Sequence, residues 1–135
     1  MNNEVKFDRF YVEEDQFPKY SELESDSNFF CNNHPELFLL SACIGYQYNL
    51  RQKIEKKVAL TLKNSFINQD FANDLYAAFK IIAENQNEFD QDNNLKINTI
   101  IEEYANGGFN KLYNELLNGP GRNNDKFLNF LMLQL

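Results

Sequence analysis

The most apolar stretch of this 135-residue chain reads LFLLSACIG, residues 37–45. Pro35 and Glu36 stand directly before it and suit the first turn of a helix, where a missing N–H costs little and a carboxylate faces the positive end of the helix dipole. Gly45 closes the stretch, and glycine often ends helices. A helix that is apolar on nearly every side belongs in the middle of a core or at a subunit interface. We therefore predict a central helix that ends at Gly45.

Amphipathic patterns on the C-terminal side predict further helices around this one. Apolar residues recur at helical spacing after Asn68, over residues 97–104, over residues 109–117 and in a last short segment that Asp125 caps. With only 5 Gly and 3 Pro, the composition favours helices joined by short connections. We expect a mostly α fold, a compact bundle of about four to five helices around one apolar central helix.

Residues 1–28 form an acidic N-terminal segment, which we separate from a helical domain over residues 29–135. Apolar residues alternate imperfectly from Val5 to Val12 and predict a short N-terminal strand or β-hairpin element. The alternation over residues 58–62 is compatible with a second short strand or with a helix. We expect the acidic segment to pack on the helical domain or to extend it.

The net charge of −7 disfavours autonomous binding to nucleic acid, because such binding usually gains its affinity by neutralising phosphates. No apolar stretch reaches the roughly 18 residues that a membrane-spanning helix needs. Cys31 and Cys43 occur without a secretion signal, so we expect reduced thiols in a cytoplasmic protein, with Cys43 buried and free.

Residues with catalytic or metal-binding chemistry do not form a recognisable pattern. His34 is the only histidine, it precedes a proline at a helix entrance, and no nucleophile motif accompanies it. Adjacent Glu102 and Glu103 would point about 100° apart on a helix, so they would not converge on one ion or bond. One histidine and two distant cysteines do not provide zinc-ligand spacing. We predict no catalytic residue, no cofactor and no metal, and hence not an enzyme.

One cluster of basic residues stands out in this chain, whose net charge is negative. Five of the 13 basic residues fall within it. They are Arg51, Lys53, Lys56, Lys57 and Lys63. Three interpretations stay open: a solvated face that balances an acidic neighbour such as the N-terminal segment, a docking patch for an acidic protein, or a contact with DNA or RNA.

Gly107 and Gly108 stand between two amphipathic segments. Each glycine inside a helix costs about 1 kcal/mol relative to alanine, so the pair must serve a purpose. Either the first helix stops or kinks there, with Gly107 at positive φ, or both glycines let another backbone approach closely.

The segment IEEYANGGF, residues 101–109, followed by an amphipathic helix and the apolar tail from Phe127, resembles a family of small bacterial proteins. This is the DNA phosphorothioation-associated protein 4 group, also called Dnd system-associated protein 4. The likeness covers roughly residues 29–135. The residues that carry it, which we call the motif, are Glu102, Glu103, Tyr104, Asn106, Gly107 and Gly108.

The resemblance implies a setting: genes of this family lie near bacterial systems that place sulfur in the DNA backbone and restrict unmodified invading DNA. It brings no catalytic residue with it. Our leading hypothesis is a non-catalytic adaptor of such a defence system, which binds its larger protein subunits and is compatible with a homodimer. The basic cluster would serve as the docking patch, and we expect Phe38, Phe109, Tyr113 and Phe127 to be core or interface aromatics.

The alternative is a small dimeric DNA-binding regulator of the ribbon-helix-helix kind. There the segment from Val5 to Val12 would form the ribbon with a second copy, and the basic residues between 51 and 63 would contact phosphates.

Overall fold

The computed structural model describes residues 9–26, 28–29, 34–62, 74, 77–82, 93–118 and 122–132, without the side chains of residues 9, 61–62, 93–96, 118 and 131. The elements are β1 (Arg9–Glu13), a 3-10 turn (Glu14–Gln16), α1 (Phe17–Glu24), α2 (His34–Gln47), β2 (Lys57–Leu62), α3 (Asn93–Asn118) and α4 (Asn123–Met132). Residues 77–82 are also helical. The predicted fold class, helices with a small sheet at the N-terminus, is confirmed.

The core is built on the contact between α2 and α3, which is more extensive than any other between described elements. Phe38 of α2 is fully buried, as the apolar character of its segment requires. On α3, Ile97, Ile101 and Phe109 are fully buried as well, at the spacing of one continuous helix face. The predicted central helix is therefore confirmed, and α3 is its main partner.

The end of α2 differs from the prediction. The helix continues through Gly45 to Gln47, and the residue with the left-handed conformation is Asn49, at φ 57°. The N–H of Asn49 donates to the Tyr46 carbonyl at 3.2 Å, and that of Leu50 donates to the Gly45 carbonyl at 2.7 Å. These two bonds form a Schellman motif, in which asparagine replaces the more usual glycine. Gly45 does not terminate the helix because Asn49 does so four residues later.

Gly45 instead belongs to a close crossing of two helices. A β-carbon on Gly45 would overlap the Tyr104 carbonyl of α3, and one on Gly108 would overlap the Ser41 carbonyl of α2. A β-carbon on Gly107 would overlap the Leu50 carbonyl, just after α2. The three glycines thus bring the two backbones into direct contact.

Helix α3 passes through the glycine pair without interruption, from Asn93 to Asn118. The expectation that the helix stops at Gly107 with a positive φ is therefore wrong, and the close-approach alternative is confirmed. The packing against α2 compensates for the low helix propensity of glycine.

Strand β1 pairs with β2 in antiparallel orientation, so within the described residues the N-terminal strand joins a distant segment and not a hairpin neighbour. Phe10 faces Thr61 and Tyr11 faces Ala59, which leaves a bulge at Leu60. Phe10 and Val12 point into the core. The part of the predicted strand before Arg9 lies outside the described residues, and the segment over residues 58–62 is a strand.

Aromatic side chains fill the space between these elements. Tyr20 of α1 stacks on Phe109 with ring centroids 4.0 Å apart. Of the aromatics predicted for the core or an interface, Phe38, Phe109 and Phe127 are buried, whereas Tyr113 is half-buried at the edge. Helix α1 thereby packs into the same core as α2 and α3.

Helix α4 begins at Asn123, and Asp125 lies in its first turn. The Asp125 carboxylate accepts the Arg122 backbone N–H at 3.3 Å, so it caps the helix from the third position inside it and not from the position before it. None of the described helices combines the length and the apolar character needed to cross a membrane.

Candidate functional site

Glu102, the first residue of the motif, is buried in α3 with 4% of its surface exposed. Its carboxylate accepts the backbone N–H of Tyr11 at 2.8 Å, beside the bulge in the sheet. Burial raises the pKa of the Glu102 carboxyl to about 7, and the nearby Glu103 adds to this, while the Tyr11 N–H and Lys57 favour the charged form. Glu102 therefore fixes β1 to α3 and changes its charge near neutral pH.

Glu103 points to a different neighbour. Its carboxylate accepts a hydrogen bond from Arg51 Nε at 2.6 Å, and its backbone carbonyl accepts the Gln52 N–H at 3.0 Å. The Arg51 guanidinium also lies 5.8 Å from the centre of the Tyr104 ring. The two adjacent glutamates thus bind different segments of the chain and do not share one site.

Asn106 bridges two segments that are far apart in sequence. Its Nδ2 donates to the backbone carbonyls of Gln52 at 3.1 Å and Lys53 at 3.2 Å. Its Oδ1 accepts Gln16 Nε2 at 2.7 Å, and Gln16 is itself 1% exposed. Asn106 therefore joins the turn after β1 to the loop before β2, with α3 between them.

The residues of the basic cluster are placed in different surroundings. Arg51 is half-buried against Glu103, whereas Lys53, Lys56 and Lys57 have exposed side chains, and Lys63 lies outside the described residues. The Glu13 carboxylate accepts the backbone N–H of Lys56 at 2.9 Å, which places an acid of the N-terminal segment against the cluster. A docking role for the cluster stays a prediction.

His34 lies at the start of α2, packed edge-on against Phe17 and Tyr20. Its Nε2 is 3.3 Å from Glu24 Oε1, an ion-pair distance without the alignment of a hydrogen bond. Cys43 is a free, half-buried thiol whose pKa is raised by burial, and Cys31 lies outside the described residues. Within the described chain, no three His, Cys, Asp or Glu side chains converge to hold a metal ion.

An open groove of about 630 Å³ runs between the C-terminal half of α3 and the loop that follows α2. Four side-chain amides line it, and we call it the amide groove. Its lining residues are Asn49, Leu50, Arg51, Gln52, Gly107, Asn110, Lys111, Asn114 and Glu115. Of the motif residues, only Gly107 lines this groove, because the polar side chains of the motif bind elsewhere.

A family model for DNA sulphur modification system-associated protein 4 matches residues 10–135, nearly the whole chain. The chain belongs to this family. The match includes β1 and α1, which the resemblance in the sequence had left outside. No curated protein and no solved structure matches the chain.

For this member of the sulphur modification family, the motif builds the fold. Glu102, Glu103 and Asn106 each bind another segment, and Tyr104 and the glycines pack in the core. Sequence reasoning missed Gln16, Asn49 and Gln52, which are single polar residues with no periodic pattern around them. The partners of Gln16 and Gln52 lie 51 to 94 residues away in the chain, so no local signal could have indicated those two residues.

Proposed function

We propose that this chain is a non-catalytic accessory subunit that acts by binding larger protein subunits of a bacterial DNA sulphur modification system. Family membership supplies the setting. The observation that carries the proposal is the internal use of Glu102, Glu103 and Asn106, whose polar groups bind the chain's own segments. Because these side chains bind within the chain, they hold it as a rigid body that is suited to present surfaces to a partner.

The charge of the chain supports a protein partner. A net charge of −7 opposes the phosphates of DNA, and Arg51 already binds Glu103. The exposed Lys53 and Lys56 remain available to an acidic surface of another subunit. We place the protein in the cytoplasm, where such subunits would meet DNA.

Affinity capture from the native host tests the proposal. The tagged chain should recover subunits of the sulphur modification system, identified by mass spectrometry and by reverse capture with a tag on the subunit. A Lys53→Glu, Lys56→Glu double variant should recover less if the cluster docks, whereas Lys80→Glu, at another exposed lysine, should behave as the wild type. Recovery of no system subunit by the wild-type chain would contradict the proposal.

A role in defence gives a second readout. A host that lacks this chain should restrict unmodified plasmid DNA less strongly than the parent host, and the wild-type gene should restore restriction. Unchanged restriction and unchanged DNA sulphur content in the deletion host would together remove the accessory role.

The exposed side chains of Lys53, Lys56 and Lys57 favour one other candidate, a dimeric DNA-binding regulator. In the described residues β1 pairs with β2 of the same chain, so a ribbon shared with a second copy would need the outer edge of this sheet. Binding to duplex DNA should then weaken steeply with salt and disappear in the lysine-to-glutamate variants. A monomer in solution that shifts no duplex at low salt would exclude this candidate.

A further inference from the structure

We infer that the amide groove binds an extended polypeptide segment of a partner subunit, chiefly through hydrogen bonds to the backbone of that segment. This inference rests on the proposed function, because it assigns a surface and a mode of binding to the same partner. Four side-chain amides line the groove, at Asn49, Gln52, Asn110 and Asn114.

Side-chain amides match the chemistry of a peptide backbone. Each amide offers both an N–H donor and a carbonyl acceptor, as each peptide unit does. No described residue bonds to the side chains of Asn49 or Asn114, so both retain this capacity. Asn110 Oδ1 accepts Gln16 Nε2 at 3.1 Å, so Asn110 offers a ligand its Nδ2 donor, which lies 3.5 Å from Gln52 Oε1 in a long contact that a ligand can replace.

The spacing along α3 also fits an extended chain. Asn110 and Asn114 are four residues apart on one helix, which corresponds to a rise of about 6 Å. Alternate residues of an extended strand are about 6.6 Å apart and present their backbone groups in the same direction. Two successive amides on α3 can therefore meet two successive outward-facing peptide units.

The charges at the groove favour a peptide over a nucleic-acid backbone. Arg51 is paired with Glu103, and Lys111 lies 3.9 Å from Glu115 Oε2 and 4.6 Å from the centre of the Tyr48 ring. Both cations in the lining are thus balanced by neighbouring carboxylates. A nucleic-acid backbone gains most of its binding affinity from unpaired lysine and arginine side chains, whereas a neutral peptide unit needs no cation.

The walls of the groove are fixed before a ligand arrives. The Leu50 N–H binds the Gly45 carbonyl, the Gln52 N–H binds the Glu103 carbonyl, and Asn106 holds the carbonyls of Gln52 and Lys53. Gly107 packs directly under the Leu50 carbonyl. A preformed wall lowers the entropic cost of binding, which suits recognition through a few hydrogen bonds.

Overlapping synthetic peptides that span the subunits of the sulphur modification system provide the test. Binding of fluorescent peptides to the full chain is followed by anisotropy, and at least one peptide should bind. Asn114→Ala should weaken its binding about fivefold, the equivalent of one hydrogen bond, and Asn114→Leu should weaken it at least about tenfold. N-methylation of alternate backbone amides of the peptide should weaken binding similarly, while side-chain alanine replacements should matter less.

The exposed position of Asn114 keeps the variants folded, which circular dichroism checks, and Lys80→Glu is the matched control. Capture of a subunit by the wild-type chain and equally by Asn114→Leu would overturn the groove assignment and leave the proposed function in place. If Asn114→Leu no longer captures a subunit, yet no peptide binds the wild-type chain, the groove binds the subunit but the ligand is not an extended segment. Duplex DNA that binds the wild type and not Asn114→Leu would assign the groove to nucleic acid instead.

Discussion

The two halves of α3 use the same kind of sequence in different ways. From Ile97 to Phe109 every side chain is buried except those of Thr99 and Glu103, which are half-buried. Glu102, Glu103 and Asn106 bind other segments of the chain. From Asn110 to Leu117 the asparagines face solvent and line the amide groove. The first half holds the fold together, and the second half adds buried leucines on one face and exposed asparagines, available for a ligand, on the other.

This contrast teaches that a distinctive motif need not mark the place where a protein acts. The motif residues are constrained by contacts to β1, α2 and the loop before β2. Variants of the motif residues should therefore change stability, and variants at exposed Asn114 should change binding alone.

The largest effect is expected at the helix crossing. Gly108→Leu places a side chain where the Ser41 carbonyl lies, so α2 must move away and stability should fall by at least about 4 kcal/mol. Urea denaturation and circular dichroism measure this loss. The same substitution at exposed Asn114 should leave the transition nearly unchanged, and equal losses at both positions would contradict the close crossing.

The next effect concerns Glu102 and pH. The pKa of the Glu102 carboxyl is raised to about 7 in the folded protein. The protonated carboxyl therefore contributes stability that is fully present below the pKa of the unfolded chain and is lost as the pH rises through 7. When the pH is raised from about 5 to about 8, the ionisation of Glu102 should lower the unfolding free energy of the wild type by roughly 2 to 3 kcal/mol.

Glu102→Gln should remove that part of the pH dependence and make the protein more stable than the wild type at about pH 8, because a neutral amide oxygen can still accept the Tyr11 N–H. Denaturation at both pH values measures the difference. Glu14→Gln, at an exposed acid near the same strand, serves as the control. Parallel pH profiles for the wild type and Glu102→Gln would refute the assignment.

A smaller loss is expected at Asn106. Asn106→Ala removes the donor to the Gln52 and Lys53 carbonyls and the nearest of the three oxygens that face Gln16 Nε2, a cost of about 2 kcal/mol. Hydrogen exchange should speed up at backbone amides of residues 11–16 and 52–56. If exchange changes only within α3, the bridge between the two segments is not what Asn106 contributes.

The smallest effect on stability marks the other half of the helix. Asn114→Ala should change the unfolding free energy by less than about 0.5 kcal/mol, because the side chain is exposed and bonds to no described residue. A loss comparable to that of Asn106→Ala would show that both halves serve the fold.

Local patterns were sufficient for α2, for α4 and for both parts of α3, but they predicted neither α1 nor the continuity of α3 through the glycine pair. The apolar run over residues 37–45 predicted α2, and the spacing of Ile97, Ile101 and Tyr104 predicted α3, because a buried helix face follows from helical periodicity alone. The ends and crossings were harder. Gly45 fitted both a helix end and a helix contact, and only the position of Tyr104 on the other helix decides between them.

The candidate functional site was harder to predict from the sequence than the helices. The motif could be located, but not the direction of its side chains, because Tyr11 and Gln16 are each about ninety residues away from their partners. The amide groove combines residues from a helix end and from a second helix, and asparagine is frequent throughout this chain. Composition gave no reason to select Asn49 or Asn114.

The bond from Tyr11 to Glu102 also sets an order of events during synthesis. The N-terminal strand leaves the ribosome early, yet its backbone donor and the Gln16 amide have their partners on residues 102 and 106. Before α3 emerges, β1 can pair only with β2 and α1 can pack only against α2, so the Tyr11 donor and the Gln16 amide find their partners late although they are made well before α3. A nascent chain halted while α3 is still inside the ribosome would leave this segment open to proteases, whereas one with α3 fully outside would protect it.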